Sequence, residues 1–199
     1  MLDTATLRVA RSELILGGQK SGKSRRAEAL AQAWLSQSGT HQVMLIATAQ
    51  AGDDEMRQRI TRHQADRAQR LPGITTLEEP LALAEAIRRH SRRDTLIIVD
   101  CLTLWLTNGL MPVQVAPAAA QSPAVDQASR TAQLLQAIAD AAGPLVLVGN
   151  EIGLGVIPMG REVRAFVDAL GLLNQRVAQL CQRVTLMAAG LPLTLKEAQ

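Results

Sequence analysis

Apolar residues along the chain follow two rhythms. Short unbroken runs rich in Leu, Ile and Val recur at 14–16, 43–47, 96–99, 145–148 and 184–188. They are too short for helices and show no polar side to water, as strands buried on both faces do not. Between most of them the apolar positions return at three- and four-residue intervals, which predicts helices at 23–37, 53–66, 80–90, 126–142 and 161–182, the last broken near Gly171. In the first of these, Ala27, Leu30, Ala31, Trp34 and Leu35 make one stripe. Such alternation predicts an α/β protein of three layers, a mostly parallel central sheet with helices on both faces. From 111 to 125 the sequence turns to Pro, Ala, Gln and Ser, an exposed loop rather than a domain linker. With no internal repeat, the reading is one domain over 1–199, with 1–12 and 191–199 as terminal extensions.

The first apolar run leads directly into Gly17-Gly18-Gln19-Lys20-Ser21-Gly22-Lys23-Ser24, which satisfies G-x-x-x-x-G-K-[ST]. Glycines there let backbone N–H groups turn inward around a polyphosphate. Lys23 brings a point charge to the β/γ-phosphates, Ser24 offers its hydroxyl to Mg²⁺, and the following helix aims its positive dipole end at the same anion. The flanking strand and helix make this a P-loop NTPase-like nucleotide site, in preference to a chance glycine-rich turn.

In open parallel sheets ligands bind at the carboxyl ends of strands, so the residues after each run are the next candidates. They are Thr48-Ala49-Gln50, Asp100 and Asn150-Glu151. Asp100 ends its run as a Walker-B acid does, where it would hold Mg²⁺ directly or through water; the plainer alternative is a helix N-cap. On the helix at 53–66, Glu55, Arg59, His63 and Arg67 fall on one stripe beside the apolar Met56 and Ile60. Flanking guanidinium groups disfavour imidazolium and keep His63 neutral and nucleophilic, and the same arginines suit phosphate oxygens. The alternative is a solvated surface histidine. His41 and His90 read as solvent-exposed.

Composition narrows the field. The chain has 199 residues, 47% of them hydrophobic, enough for a real core, but aromatics are only Trp34, Trp105 and Phe166, so the core is aliphatic. Lys and Arg number 21 against 18 acids, a net +3, and are scattered without interleaved aromatics, which argues against nucleic acid as a partner. Cys101 and Cys181 lie in apolar elements without C-x-x-C spacing and read as buried free thiols. Neither a signal-peptide core nor a run near the roughly 18 residues of a membrane span is present, so the expectation is a cytoplasmic protein.

The motifs in order resemble one family. Gly17 to Ser24, Ile46-Ala47-Thr48-Ala49-Gln50, Asp53-Asp54-Glu55-Met56 with Arg59-Ile60 and His63, and Asn150-Glu151-Ile152-Gly153-Leu154-Gly155-Val156-Ile157-Pro158 are similar to the bifunctional adenosylcobinamide kinase/adenosylcobinamide-phosphate guanylyltransferases of cobalamin biosynthesis. The likeness continues through Arg161, Arg164, Phe166, Asp168, Gly171, Asn174-Gln175 and Gly190. The resemblance implies phosphorylation of the aminopropanol hydroxyl of adenosylcobinamide, then transfer of GMP from GTP onto that phosphate through a guanylylated His63. It also implies that Gly17–Ser24 hold the phosphates of ATP or GTP, that Ala47, Thr48, Ala49, Gln64, Ala65, Asp66, Arg67, Glu78 and Asp100 complete the GTP site, and that the protein is a homotrimer. Two departures are Ala68 after Arg67, where the family usually has Pro, and Val167 after Phe166, where it commonly has Arg. The residues do not single out a base for the kinase step; Asp100 and Glu151 are the candidates. The rival readings are a simple small-molecule kinase and a GTP-dependent switch, and no N-K-x-D-like guanine-reading element stands between Leu145 and Ala188 to favour the switch.

Overall fold

The computed structural model describes residues 7–50, 54, 57–58, 61–62, 65, 70–111, 127–156 and 158–197. The five apolar runs become β1 (Ser12–Gly17), β2 (Gln42–Ala47), β4 (Thr95–Asp100), β5 (Leu145–Val148) and β6 (Arg183–Ala188); with β3 (Thr75–Glu78) and β7 (Leu191–Glu197) they form one seven-stranded sheet. Its order is β3-β2-β4-β5-β1-β6-β7, and every neighbouring pair is parallel except the antiparallel β6 and β7. Beside it, among the described residues, run α1 (Lys23–Leu35), α2 (Leu83–His90), α3 (Leu102–Leu110), α4 (Gln127–Ala139) and α5 (Arg161–Leu180). The fold is therefore α/β, as the alternation predicts.

Successive side chains of a strand point to opposite faces, which is why the central runs are apolar throughout. On one face Ile15, Leu45, Ile98 and Val146 pack with Ala27, Leu30 and Ala31 of α1. On the other Leu14, Leu16, Ile97, Val99 and Leu147 pack with Leu83 and Ile87 of α2, Trp105 of α3, Leu134 of α4 and Leu173 and Val177 of α5. One polar position interrupts β1. Glu13 is 1% exposed, its Oε1 accepting from Arg26 Nε at 2.7 Å and Thr185 Oγ1 at 2.8 Å, and its Oε2 accepting from Arg183 Nη1 at 3.2 Å. Arg183 also donates to Glu197 on β7, at 2.6 Å from Nη2. Burial alone would lower the Arg183 pKa, but the hydrogen bonds and charges of Glu197 and Glu13 outweigh it and raise it. Two acids and two arginines thus balance across β1, α1, β6 and β7.

Several expectations are corrected. Within the terminal extension, residues 191–197 form the edge strand β7, joined to β6 by Ala189 and Gly190, both at positive φ (51° and 80°) as a two-residue hairpin turn of the primed type requires. Helix α3 is unanticipated because it follows β4 after one residue, so that strand and helix read as a single apolar stretch. Strand β3 contains one large apolar residue, Leu77, and carries no periodic signal. Gly171 does not break α5, which runs unbroken through it and is anchored by buried Leu170, Leu173 and Val177. His41 is half-buried, its ring stacked on Trp34 with centroids 3.7 Å apart, and His90 is half-buried too. Both cysteines are free and buried; burial pushes the Cys101 thiol up to about 11 and the Cys181 thiol up to about 12, so neither is a nucleophile near neutral pH. Residues 54, 57, 58, 61, 62 and 65 are helical, within the predicted helix at 53–66, whose other positions lie outside the described residues, as does most of the loop at 111–125.

Candidate active site

The carboxyl ends of the strands gather the polar residues singled out in the sequence. β1 runs into the phosphate loop, where Gly17 (φ 150°) and Gly22 (φ 103°) take conformations that side chains rarely adopt, and Lys20 also has positive φ (56°). Space is as restrictive as conformation. A Cβ on Gly17 would lie 2.5 Å from the Met187 carbonyl oxygen, and one on Gly22 would lie 3.2 Å from Gly190 Cα. The loop is thereby pressed against the β6–β7 turn, whose Gly190 N–H donates to the Ser21 carbonyl of the loop at 3.0 Å.

Gly22 caps α1 without a side chain, so the first amides of the helix have no intrahelical acceptor. The first turn holds Lys23, Arg25 and Arg26 and no acid, the wrong sign for the positive end of a helix dipole unless an anion is bound there. Arg26 is neutralised by Glu13. Lys23 is buried, its Nζ donating to the carbonyls of Gly17 at 2.9 Å and Gly18 at 2.6 Å, so the ammonium sits at the mouth of the loop. Gly18, Gln19 and Lys20 are exposed, Ser24 is half-buried, and the buried Ser21 hydroxyl has no hydrogen-bond partner among the described residues.

The sheet register aligns the remaining candidates. Glu78 pairs with Ala47, Ala47 with Asp100, Asp100 with Val148 and Val148 with Ile15, two residues before Gly17. Glu78, Ala47 and Asp100 therefore form one row along the carboxyl edge, at the roughly 5 Å spacing of neighbouring strands. Asp100 and Ser24 line the same small cavity between β4 and α1. Among the described residues no three His, Cys, Asp or Glu side chains surround a common metal position. One carboxylate, one hydroxyl and the phosphates of a nucleotide are nevertheless the donor set that Mg²⁺ takes beside nucleotides, so the residues present fit that ion. Thr48 is fully buried; its hydroxyl donates to the Cys101 carbonyl at 2.7 Å and accepts from the Cys101 N–H at 2.9 Å, locking the end of β2 to the end of β4. Ala49 is half-buried and Ala65 exposed, whereas His63, Gln64, Asp66 and Arg67 lie outside the described residues.

The sequence matches the cobinamide kinase / cobinamide phosphate guanyltransferase family over residues 13–195. The chain belongs to this family. The protein is thus a nucleotide-dependent enzyme that acts on cobinamide, and the phosphate loop, the carboxyl-edge row and the Asn150-Glu151 corner all lie within the matched span. It is 47% identical over 184 residues to the bifunctional adenosylcobalamin biosynthesis protein CobP of Pseudomonas aeruginosa, covering 92% of this chain and 96% of that one. It is 33% identical over 187 residues to the bifunctional adenosylcobalamin biosynthesis protein CobU of Escherichia coli, covering 92% and 98%. Among solved structures it is similar to the flagellar accessory protein FlaH of Methanocaldococcus jannaschii, with TM-score 0.51, 12% identity and coverage of 98% of this chain and 82% of that one. A second, from Pyrococcus horikoshii, gives TM-score 0.55, 8% identity and coverage of 97% and 89%. At those identities the structural likeness bears on the fold alone. Among the described residues no helix is long and apolar enough to cross a membrane.

Sequence reasoning missed the residues that brace this edge. Asn108 on α3 donates from Nδ2 to the carbonyls of Thr48 (2.7 Å) and Pro80 (3.2 Å), tying the loops after β2 and β3 together. Thr103, also on α3, accepts the Asn150 N–H at 2.9 Å. Their signal was two buried polar positions, Thr103 and Asn108, inside the apolar stretch 102–110, legible only once that stretch is seen to be a helix.

Proposed function

We propose that the chain phosphorylates the aminopropanol hydroxyl of adenosylcobinamide and then transfers GMP from GTP to adenosylcobinamide-phosphate through a guanylylated His63, giving adenosylcobinamide-GDP and pyrophosphate. The observation that carries this reading is the formed phosphate loop, with Lys23 seated on its first two carbonyls, inside a chain that matches the family nearly end to end. Gly17 to Ser24 bind the triphosphate, with the loop amides and the Lys23 ammonium neutralising its charge. Ser24 and Asp100 hold Mg²⁺, which supplies charge neutralisation on the phosphate oxygens. Ala47, Thr48, Ala49, Gln64, Ala65, Asp66, Arg67, Glu78 and Asp100 complete the GTP site. Of these, Thr48 acts by fixing the edge, since it is fully buried and its single O–H is already donated to the Cys101 carbonyl.

In the guanylyl half-reaction the His63 imidazole attacks the α-phosphorus in line and pyrophosphate departs. The substrate phosphate then attacks the histidyl-GMP from the opposite side and restores His63. The names of two relatives, both bifunctional adenosylcobalamin biosynthesis proteins, support a role in cobalamin biosynthesis, and the same reading makes the chain one cytoplasmic domain assembled as a homotrimer.

Assay of both half-reactions on the purified protein tests the reading: transfer of phosphate from ATP or GTP to cobinamide, and of GMP from GTP to cobinamide phosphate. Both are expected from the one chain. Lys23→Ala is expected to lower each by on the order of 10²–10³-fold, as loss of one preorganised charge at a reacting oxyanion does. Full activity in that variant would remove the phosphate loop from the mechanism.

A further inference from the structure

The corner after β5 is held from three sides. The Asn150 N–H donates to Thr103 Oγ1 of α3 at 2.9 Å, the Asn150 carbonyl accepts from Asn174 Nδ2 of α5 at 3.1 Å, and the Glu151 N–H donates to the carbonyl of Gly17 in the phosphate loop at 3.2 Å. Glu151 is therefore fixed to the edge of the nucleotide site by its own backbone. Its side chain is half-buried and oriented too: Oε1 accepts the Gly153 N–H at 2.9 Å, while Oε2 accepts no hydrogen bond among the described residues.

Directly beyond this corner a groove of about 630 Å³ opens between Ile152, Gly153, Gly155, Val156 and Pro158 on one side and α5 on the other. Ile152, Val156, Val167 and Leu172 make it apolar, and Arg164 and Asp168 give it polar points. Arg164 also stiffens one wall, its Nη1 donating to the Pro158 carbonyl at 3.1 Å and to that of Met159. The groove begins at Ile152, the residue after Glu151, whose own N–H is bonded to Gly17 of the phosphate loop. Glu151 is thus the acid that links the two, through its neighbour Ile152 in the groove and its own N–H on the phosphate loop. Asp100 stands elsewhere, in the row shared with Ala47 and in the cavity shared with Ser24.

We infer that Glu151 is the catalytic base of the phosphorylation half-reaction, with the acceptor's apolar body seated in the adjoining groove. This rests on the kinase activity proposed above. The Glu151 carboxylate takes the proton of the acceptor hydroxyl; the hydroxyl oxygen bonds to the γ-phosphorus as the bond to the β,γ-bridging oxygen breaks; the nucleoside diphosphate leaves with that electron pair. Glu151 then releases the proton to solvent. The guanylyl half-reaction has an ionised phosphate as its acceptor and needs no such base, so the two half-reactions differ in their dependence on this residue.

The test compares Glu151→Gln and Glu151→Asp with wild type in three assays: phosphorylation of cobinamide, guanylyl transfer to presynthesised cobinamide phosphate, and guanylylation of the enzyme by GTP alone, which involves no acceptor. Glu151→Gln is expected to cut kcat for phosphorylation by on the order of 10²–10⁴-fold with little change in nucleotide KM. Glu151→Asp is expected to recover part of the rate. Gly171→Phe, at a helix position where an added Cβ meets nothing within 4 Å, is expected to fill the groove and raise KM for cobinamide by about 10-fold or more, and an unchanged KM would take the acceptor out of the groove. A Glu151→Gln enzyme that phosphorylates at the wild-type rate, or one that loses all three activities equally, would overturn the assignment. Wild-type enzyme that phosphorylates no cobinamide would instead remove the reading on which it rests.

Discussion

His63→Ala is expected to abolish guanylyl transfer, by on the order of 10⁴–10⁶-fold, as removal of a covalent nucleophile does, while phosphorylation of cobinamide continues. The asymmetry follows from the chemistry. Phosphorylation joins an alcohol oxygen to the γ-phosphorus in one displacement, for which the phosphate loop, Lys23 and a base suffice. Guanylyl transfer passes through a phosphoramidate on the histidine, and without the imidazole GMP has no carrier. The two rates measured on one preparation provide their own folding control: a variant that phosphorylates is folded. Equal loss of both would make His63 a structural residue, and retention of both would leave guanylyl transfer as a direct attack by substrate on GTP.

Glu13→Ala is expected to destabilise the protein by about 3–5 kcal/mol, the cost of breaking a buried ion pair from one side. Its carboxylate is the shared acceptor of Arg26, Arg183 and Thr185. Alanine would leave Arg26, 6% exposed, without its acceptor and Arg183, 8% exposed, with Glu197 and the Arg8 carbonyl. Glu13 follows Ser12 at the start of β1, and Arg26 lies three residues after Lys23, so the damage also reaches the helix that carries the phosphate loop. A urea titration reads the effect as a lower midpoint at unchanged slope. Glu13→Gln, which keeps the shape and part of the hydrogen bonding, is expected to cost less. A shift below about 1 kcal/mol for Glu13→Ala would mean that the arginines find water instead, as exposed pairs do.

What the sequence made legible follows from where the physical signal was local. The parallel strands were readable because burial on both faces leaves unbroken apolar runs, and the phosphate loop because Gly17, Gly22, Lys23 and Ser24 each answer a separate demand at fixed spacing. Asp100 was singled out by its place at the end of such a run, and it stands at the end of β4 beside Ala47. The missed elements lack that signal: β3 is short and mostly exposed, β7 is an edge strand whose turn uses Ala189 rather than a second glycine, and α3 is fused in pattern to β4. The buried charges could not be read at all. Glu13 sits inside an apolar strand, and only the sheet order, which sets β6 beside β1 and β7 beside β6, brings Arg183 and Glu197 to it. The bracing of the site is similarly non-local, since Thr103, Asn108 and Asn174 act on carbonyls and amides 24 or more residues away.

The most direct test of the account is to incubate wild-type protein and His63→Ala with Mg²⁺ and GTP labelled at the α-phosphate, without acceptor, and to examine the protein for bound label. The account predicts label on wild type alone, labile to acid and stable to alkali as a phosphoramidate is, and discharged onto cobinamide phosphate when that is added. Absence of label on wild-type protein that phosphorylates cobinamide, or label that persists on His63→Ala, would contradict it.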